Sequence, residues 1–424
     1  MIRDDAAAIW TAAIDAVRPE RLLGDRLGLS ADGALLCDGL PLDPPVLLGS
    51  VGRIAVVGAG KAAAGLASGF ERLLGADGLR RHRVSGLVSV PVGCGVSLEA
   101  IEVRETRPAG LNLPTPAVVV ATHEILATVA SLGPDDLAVA LVTGGGSALL
   151  AAPKPGTSLA EKIAVTRRLS AAGADIATLN AARRSMSLVK GGGLAAACTA
   201  GRLLVLVLSD VIGGDLGVIA SGPCMPPAPG PSAGTWTTPG GCRVQHLVLG
   251  DNATAVAAAV AAADRAGYET VSGVDCAAPA ADEVGRSLAR QAAALVAAVR
   301  RDGRPRAIVT GGEATVQVPE DHGSGGRNQQ TVLAAIDDFA RAGGWPDGLL
   351  IASVGTDGED GPTDAAGACG DAEVVAAIAR GRLDVDRALA RCDAHPLLAT
   401  AGGLIRTGPT GTNVADVRLV LARP

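Results

Sequence analysis

The chain has 424 residues and a formal net charge of −6, long enough for two domains with complete cores and too acidic for a general nucleic-acid or membrane-surface binder. Hydrophobic residues make up 48% of it and aromatic ones only 1%, so the core has to be built from Val, Leu, Ile and Ala. No apolar run reaches the roughly 18 residues that read as a membrane span. The eight cysteines are scattered, with no CxxC pair and no zinc spacing, which points to a reduced, cytoplasmic protein rather than a disulfide framework.

The first stretch, MIRDDAAAIWTAAIDAV, carries two acids where a signal peptide would be basic. Ile9, Ala13 and Val17 fall on one helical face, and Asp4 or Asp5 can cap that helix. A unit then recurs: a β-branched run, a glycine-rich loop and an Ala-rich helix. It is seen in RIAVVGAGKAAAGLASGF (53–70), LAVALVTGGGSALLAAPKPG (137–156) and GRLLVLVLSDVIGGD (201–215). It returns in VQHLVLGDNATAVAAAVAAA (244–263), RAIVTGGEATVQV (306–318) and LLIASVGTDGEDGPTDAAG (349–367). Uninterrupted apolar strands alternating with helices predict α/β domains with largely parallel sheets covered on both faces. The segment 221–241, rich in Pro, Gly, Ser and Thr, reads as a linker between a domain over 1–235 and another over 245–424. Ligands of such sheets bind beyond the carboxyl ends of the strands, where the glycine loops fall.

Each loop offers specific chemistry. GAGKAAAG (58–65) follows a strand and opens a helix, so Gly58, Gly60 and the charge of Lys61 suit an anion. It lacks the Gly at 55 and the Ser or Thr at 62 of a Walker A loop. A dinucleotide fold would need a ribose-binding acid after the next strand, but VSGLVSV (84–90) ends in Pro91. TGGGSALL places Gly144, Gly145, Gly146 and Ser147 at a strand end, a nest for phosphate or carboxylate. GGGSA lacks the second glycine of a nucleophile elbow, which favours anion binding over a serine nucleophile. Lys190 precedes a glycine triplet within LNAARRSMSLVKGGGLA (179–195), whereas Arg184 reads as part of an exposed helix face. Asp210, in LVLSDVIGGD, ends a strand and can hold Mg²⁺ or accept a proton from a substrate hydroxyl. Asn252 opens the helix after LGD, and Gly311, Gly312 and Glu313 form a second TGG turn expected to bind an anion. Asp357 directly follows an apolar strand, which marks it above Glu359 as a metal or cofactor residue, and Asn413 is the polar contact of TGPTGTN. HGSGGRNQQ (322–330) holds Arg327 among glycines and amides, with nothing apolar to place it in the core. Anion nests, cations and carboxylates, without a histidine base or reactive cysteine, suit phosphoryl transfer, which rests on positioning and charge neutralisation.

The motifs VVGAGKAA, LVTGGGSALL, LN–R–S–VKGG, SDV–G–D–VIASGP, LGDN, TGGE–TV, GGRNQ, GTDG–DGPTDAAGA and TGPTGTNV stand in order from about residue 50 to the end. In this the chain resembles the class II glycerate 2-kinases, which carry a MOFRL-type C-terminal domain. The resemblance implies two α/β domains, the first Rossmann-like, facing each other across a cleft. It implies transfer of the ATP γ-phosphoryl group to the 2-hydroxyl of D-glycerate, with Mg²⁺. It matches Lys61 and Arg327 to the family's cleft cations. Asp210, read from its place at a strand end, is the third catalytic candidate, and Asp210 and Asp357 are the metal candidates. Ser185 stands where the family has a histidine, Arg107 replaces another, and the SDV stretch has lost one acid, leaving Gly214-Asp215. The alternatives kept open are a kinase of another small hydroxy acid, an NAD(P)H-dependent hydroxypyruvate reductase and, given the replaced histidines, a non-enzymatic binder of sugar acids or nucleotides on a kinase scaffold. No nucleic-acid or membrane partner is expected, and a homodimer is compatible with these motifs.

Overall fold

The computed structural model describes residues 2–108, 111, 113–171, 176–226, 234–275 and 278–424. The chain divides into two units. One comprises Arg18–Gly250 with Gly411–Asn413, here the N-terminal unit; the other comprises Met1–Val17, Asp251–Thr410 and Val414–Pro424, here the C-terminal unit. No helix among the described residues is long and apolar enough to cross a membrane.

The N-terminal unit begins with a small antiparallel sheet of β1 (Leu27–Leu29), β2 (Leu35–Cys37) and β3 (Leu40–Pro41). Its main sheet contains β4 (Ile54–Ala59), β5 (Ser85–Pro91), β6 (Ile101–Arg107), β7 (Leu137–Thr143), β8 (Arg202–Leu208), β9 (Thr235–Thr237) and β10 (Arg243–Gly250), in the order β6-β5-β4-β7-β8-β10-β9. All pairs are parallel except that with the edge strand β9. Every residue of β4 and β7 is buried, as their unbroken apolar sequences require in a sheet covered on both faces. Leaving out β9, the order is the 3-2-1-4-5-6 of a Rossmann-like sheet, and it reverses between β4 and β7. The crevice beyond the carboxyl ends of these two strands is therefore the place for a ligand.

The sheet of the C-terminal unit contains β11 (Glu269–Val274), β12 (Arg306–Gly312), β13 (Leu349–Gly355), β14 (Gly367–Gly370), β15 (Leu404–Ile405) and β16 (Asp416–Ala422), in the order β11-β12-β16-β13-β14-β15. Here only β11 and β12 pair in parallel; the last long strand, β16, runs antiparallel between β12 and β13. The expected parallel character thus holds for the first sheet, and the second is mixed. Apolar runs report burial on both faces but not strand direction.

Two boundaries differ from those read in the sequence. The helix Ile2–Ala16 packs in the C-terminal unit, against the helix Asn252–Arg265. Ile9 and Ala13 are fully buried, Asp5 accepts a hydrogen bond from the Tyr268 hydroxyl at 2.8 Å and pairs with Arg423 at 2.8 Å. The chain leaves the N-terminal unit at Gly250, straight from β10 into a helix capped by Asp251, and not through the Pro/Gly-rich segment. That segment contributes β9 to the sheet, and Trp236 Nε1 donates to the Cys224 carbonyl at 3.2 Å; its residues 227–233 lie outside the described residues.

Candidate active site

In the N-terminal unit the turns after β4 and β7 interlock at the switch point. Gly60 has φ +137, and an added Cβ would lie 2.0 Å from Thr143 Oγ1, so only glycine fits. The Lys61 N–H donates to the Gly144 carbonyl at 3.0 Å and the Ala62 N–H to Thr143 Oγ1 at 3.2 Å. These contacts set Lys61 beside the turn of Gly144–Gly146, where a Cβ on Gly145 would stand 3.5 Å from Lys61 Cγ. Asp210, just past β8, also reaches this turn: a Cβ on Gly144 would lie 2.3 Å from Asp210 Oδ2. Asn413 Nδ2 donates to the same oxygen at 3.4 Å, and Gly411–Asn413 belong to this unit. Gly58 is not in the turn but within β4, where its missing side chain makes room for the Leu141 carbonyl of β7.

Behind the turn lies a polar cluster. The buried Lys190 ammonium donates to the carbonyls of Ser147 and Ala220 at 3.0 and 3.3 Å and to Ser221 Oγ at 3.4 Å. Ser147 and Ser221 hydroxyls are 3.0 Å apart, and Ser221 Oγ donates to Asn180 Oδ1 at 3.0 Å. Ala220 and Ser221 have φ of 50 and 64, left-handed conformations unusual for residues with side chains, and Lys190 holds that segment in place. Burial, reinforced by Lys162, Arg183 and Arg184, pushes the Lys190 ammonium well below the usual lysine range.

Ser147, Gly145 and Lys190 form one side of a pocket of about 200 Å³ whose other walls include Leu113, Ile163, Lys162 and Arg183. Among the described residues its lining has three cations and no acid. A larger cavity of about 680 Å³ in the C-terminal unit is mixed in charge, with Asp275 and Glu283 facing Arg286, Arg290 and Arg418. Two residues here were not singled out from the sequence: Lys162, which no local signal marks, and Ser221, which lies within the VIASGP motif directly before Gly222. Ser185 is exposed at its helix end with its hydroxyl on the Ala182 carbonyl, and Arg107 is buried at the end of β6. Neither lines the cationic pocket. Arg184 is exposed, as its sequence context suggests.

In the C-terminal unit Arg327 is the first residue of the helix Arg327–Arg341, not part of an open loop. Its Nε and Nη2 donate to the two oxygens of buried Asp416 at 2.8 and 2.9 Å, and Nη1 to Glu313 Oε1 at 2.8 Å. Burial alone would lower its pKa, but Asp416, then Glu313 and Asp357, more than offset this and raise it. These contacts use three of the five N–H donors of an arginine. The neighbouring amides are core, contrary to the reading of HGSGGRNQQ as surface: Asn328, Gln329 and Gln330 are all buried. The Gln330 amide donates to Asp282 Oδ1 and the Leu389 carbonyl at 2.9 and 3.0 Å, and Asp360 accepts the backbone N–H groups of Asn328 and Gln329 at 3.0 and 2.9 Å and the Gln329 side-chain amide at 3.0 Å. Burial pushes the Asp360 carboxyl up to about 6 against these donors.

Gly311 and Gly312 are the last residues of β12, laddered to Val417 and Asp416, and so form strand rather than the expected anion-binding turn. Asn252 is buried, and its amide donates to the Val414 and Asp416 carbonyls at 2.8 and 3.0 Å, tying a helix to the start of β16. Asp357 is partly buried just after β13 and accepts the Glu359 N–H at 3.0 Å.

Comparison with known proteins agrees with this architecture. Residues 5–236 match the domain of unknown function DUF4147, and residues 306–416 match the MOFRL family. A glycerate kinase of Homo sapiens is 32% identical over all of this chain and 94% of its own, and that of Bos taurus is 33% identical with the same coverage. A putative hydroxypyruvate reductase of Agrobacterium vitis is 35% identical over 88% of this chain and all of its own. Among solved structures, a glycerate kinase from Thermotoga maritima superposes with a TM-score of 0.79 at 28% identity, covering 99% of both chains. The fold and the full-length relatives define a two-domain α/β kinase. The chain belongs to the class II glycerate kinase family.

Proposed function

We propose that the chain is an ATP- and Mg²⁺-dependent glycerate 2-kinase that transfers the γ-phosphoryl group to the 2-hydroxyl of D-glycerate, giving 2-phosphoglycerate. The observation that carries this is the arrangement at the switch point: Lys61, the Gly144–Gly146 turn and Asp210 meet there, in a chain aligned along its full length with glycerate kinases. Lys61 and the turn's N–H groups neutralise phosphate charge as it spreads in a loose transition state. Arg327, braced by Asp416 and Glu313, keeps two N–H donors for an anion. Asp210 is a hard oxygen donor at a strand end, which fits Mg²⁺, an ion that takes one or two protein carboxylates. Bound there, Mg²⁺ would supply charge neutralisation at the phosphate oxygens. No group of three or more His, Cys, Asp or Glu among the described residues could hold a metal, so a metal that relies on substrate oxygens fits better than an all-protein cage.

The test is to incubate the protein with ATP, Mg²⁺ and D-glycerate and identify the product by phosphorus NMR. One 2-phosphoglycerate per ADP is expected; ATP untouched in the presence of D-glycerate would contradict the reading.

A further inference from the structure

We infer that the pocket walled by Lys162, Arg183 and Lys190 seats the carboxylate of the acceptor, and that it makes the enzyme choose small hydroxy acids over neutral polyols. This rests on the kinase reading for what the acceptor does next, but not for what the pocket binds.

The pocket's charge calls for an anion. Among the described residues, three cations and no acid line it, and none of the three is in an ion pair. Lys162 is 4% exposed, and among the described residues its ammonium has only a long contact, 3.5 Å, to the Arg183 carbonyl. The Arg183 guanidinium reaches Asn180 Oδ1 at 3.4 Å, also long for a hydrogen bond. Lys190 is better satisfied, but by carbonyls and a hydroxyl, which orient an ammonium without neutralising it. Gathering like charges away from water is costly unless a counter-ion arrives. Burial, then the charge of Arg183, lowers the proton affinity of Lys162, and burial lowers that of Arg183. A bound carboxylate would reverse both effects.

Size and position narrow the ligand. About 200 Å³ is below the roughly 300 Å³ at which pockets for drug-sized ligands begin, so a three-carbon acid fits and a nucleotide does not. Gly145 belongs both to this pocket and to the turn beside Lys61, and Ser147, also in the pocket, directly follows that turn. An acid held by its carboxylate here extends its hydroxyl toward the turn assigned to phosphate. Lys162 and Arg183, from the helices Leu159–Ala171 and Ile176–Ser185, are the binding cations. Lys190 is a positioning residue that fixes Ser147 and the left-handed Ala220–Ser221 segment.

The experiment measures D-glycerate binding to the full chain by calorimetry without nucleotide, and steady-state kinetics with D-glycerate and with glycerol. The variants are Lys162→Gln, Arg183→Gln and the charge-keeping Lys162→Arg. Losing one charge-assisted contact should raise Kd and KM for D-glycerate roughly 10- to 100-fold, with the loss in KM rather than kcat. The preference for D-glycerate over glycerol should shrink accordingly, and Lys162→Arg should recover most of the affinity. Melting temperatures identify a variant that fails to fold. Unchanged Kd in both Gln variants, or no D-glycerate binding by the wild type, overturns the pocket assignment. Tight binding that both Gln variants weaken, without turnover of any acceptor, supports the pocket and removes the kinase reading instead.

Discussion

At the scale of single residues, burial is what the sequence concealed. Lys162 looks like any surface lysine of an amphipathic helix, yet burial beside Arg183 pushes its ammonium down to about 8. Its charge, facing Arg183 and Lys190, is present below that value and lost above it. The KM for D-glycerate is therefore expected to rise between pH 7 and pH 9 in the wild type and to stay flatter in Lys162→Arg, whose guanidinium does not titrate there. A pH-independent KM in the wild type would remove Lys162 from acceptor binding. The acidic loop 355–367 shows the same blindness. Asp357 was legible as the residue after an apolar strand, whereas Asp360, two positions beyond a turn glycine, is the one that caps the core amides. Truncation by Asp360→Ala orphans several buried donors and is expected to cost about 2–4 kcal/mol, seen as a lower melting temperature. A melting temperature equal to the wild type would show that water replaces the carboxylate.

At the scale of elements, the apolar runs were readable because their period and length state burial directly. β4, β7, β8 and β13 all fall where unbroken Val, Leu, Ile and Ala predict them. Glycine was harder, since it serves turns, close packing and strand ends alike. Gly60-Lys61 and Gly144–Gly146 do lie in turns at strand ends, whereas Gly58 lies in β4, and Gly311 and Gly312 lie in a strand whose partner, β16, arrives from a hundred residues away. Gly326 shows why HGSGGRNQQ needs small residues: an added Cβ would lie 2.2 Å from Asp360 Cγ. Gly326→Ala would displace the carboxylate that caps the helix Arg327–Arg341, an overpacking expected to cost about 1–3 kcal/mol. Differential scanning fluorimetry reads it as a drop in melting temperature, and an unshifted transition would mean that the Asp360 loop yields freely.

At the scale of the whole molecule, the motif order carried the family and the α/β class, and the first sheet has the Rossmann-like order. The path of the chain between units was not legible. Nothing in MIRDDAAAIWTAAIDAV states that its apolar face belongs against the helix Asn252–Arg265, because amphipathicity names a buried face and not its partner. The Rossmann-like order raises a nicotinamide reaction as the rival chemistry, one that the name of the Agrobacterium vitis relative also carries. Yet β5 ends in Pro91 without the acid that would hold a ribose. NADH or NADPH mixed with hydroxypyruvate and the protein is expected to keep its absorbance; oxidation at a catalytic rate would favour the reductase.

The central claim is that the turns after β4 and β7 are a phosphoryl-transfer site in which Lys61 supplies charge. Its most direct measurement is kcat for ADP release with saturating ATP, Mg²⁺ and D-glycerate, in the wild type and in Lys61→Ala. A loss of about 10²-fold or more in kcat, with the fold intact, is the expected result for a charge used in the transition state. Turnover by Lys61→Ala at the wild-type rate would contradict it.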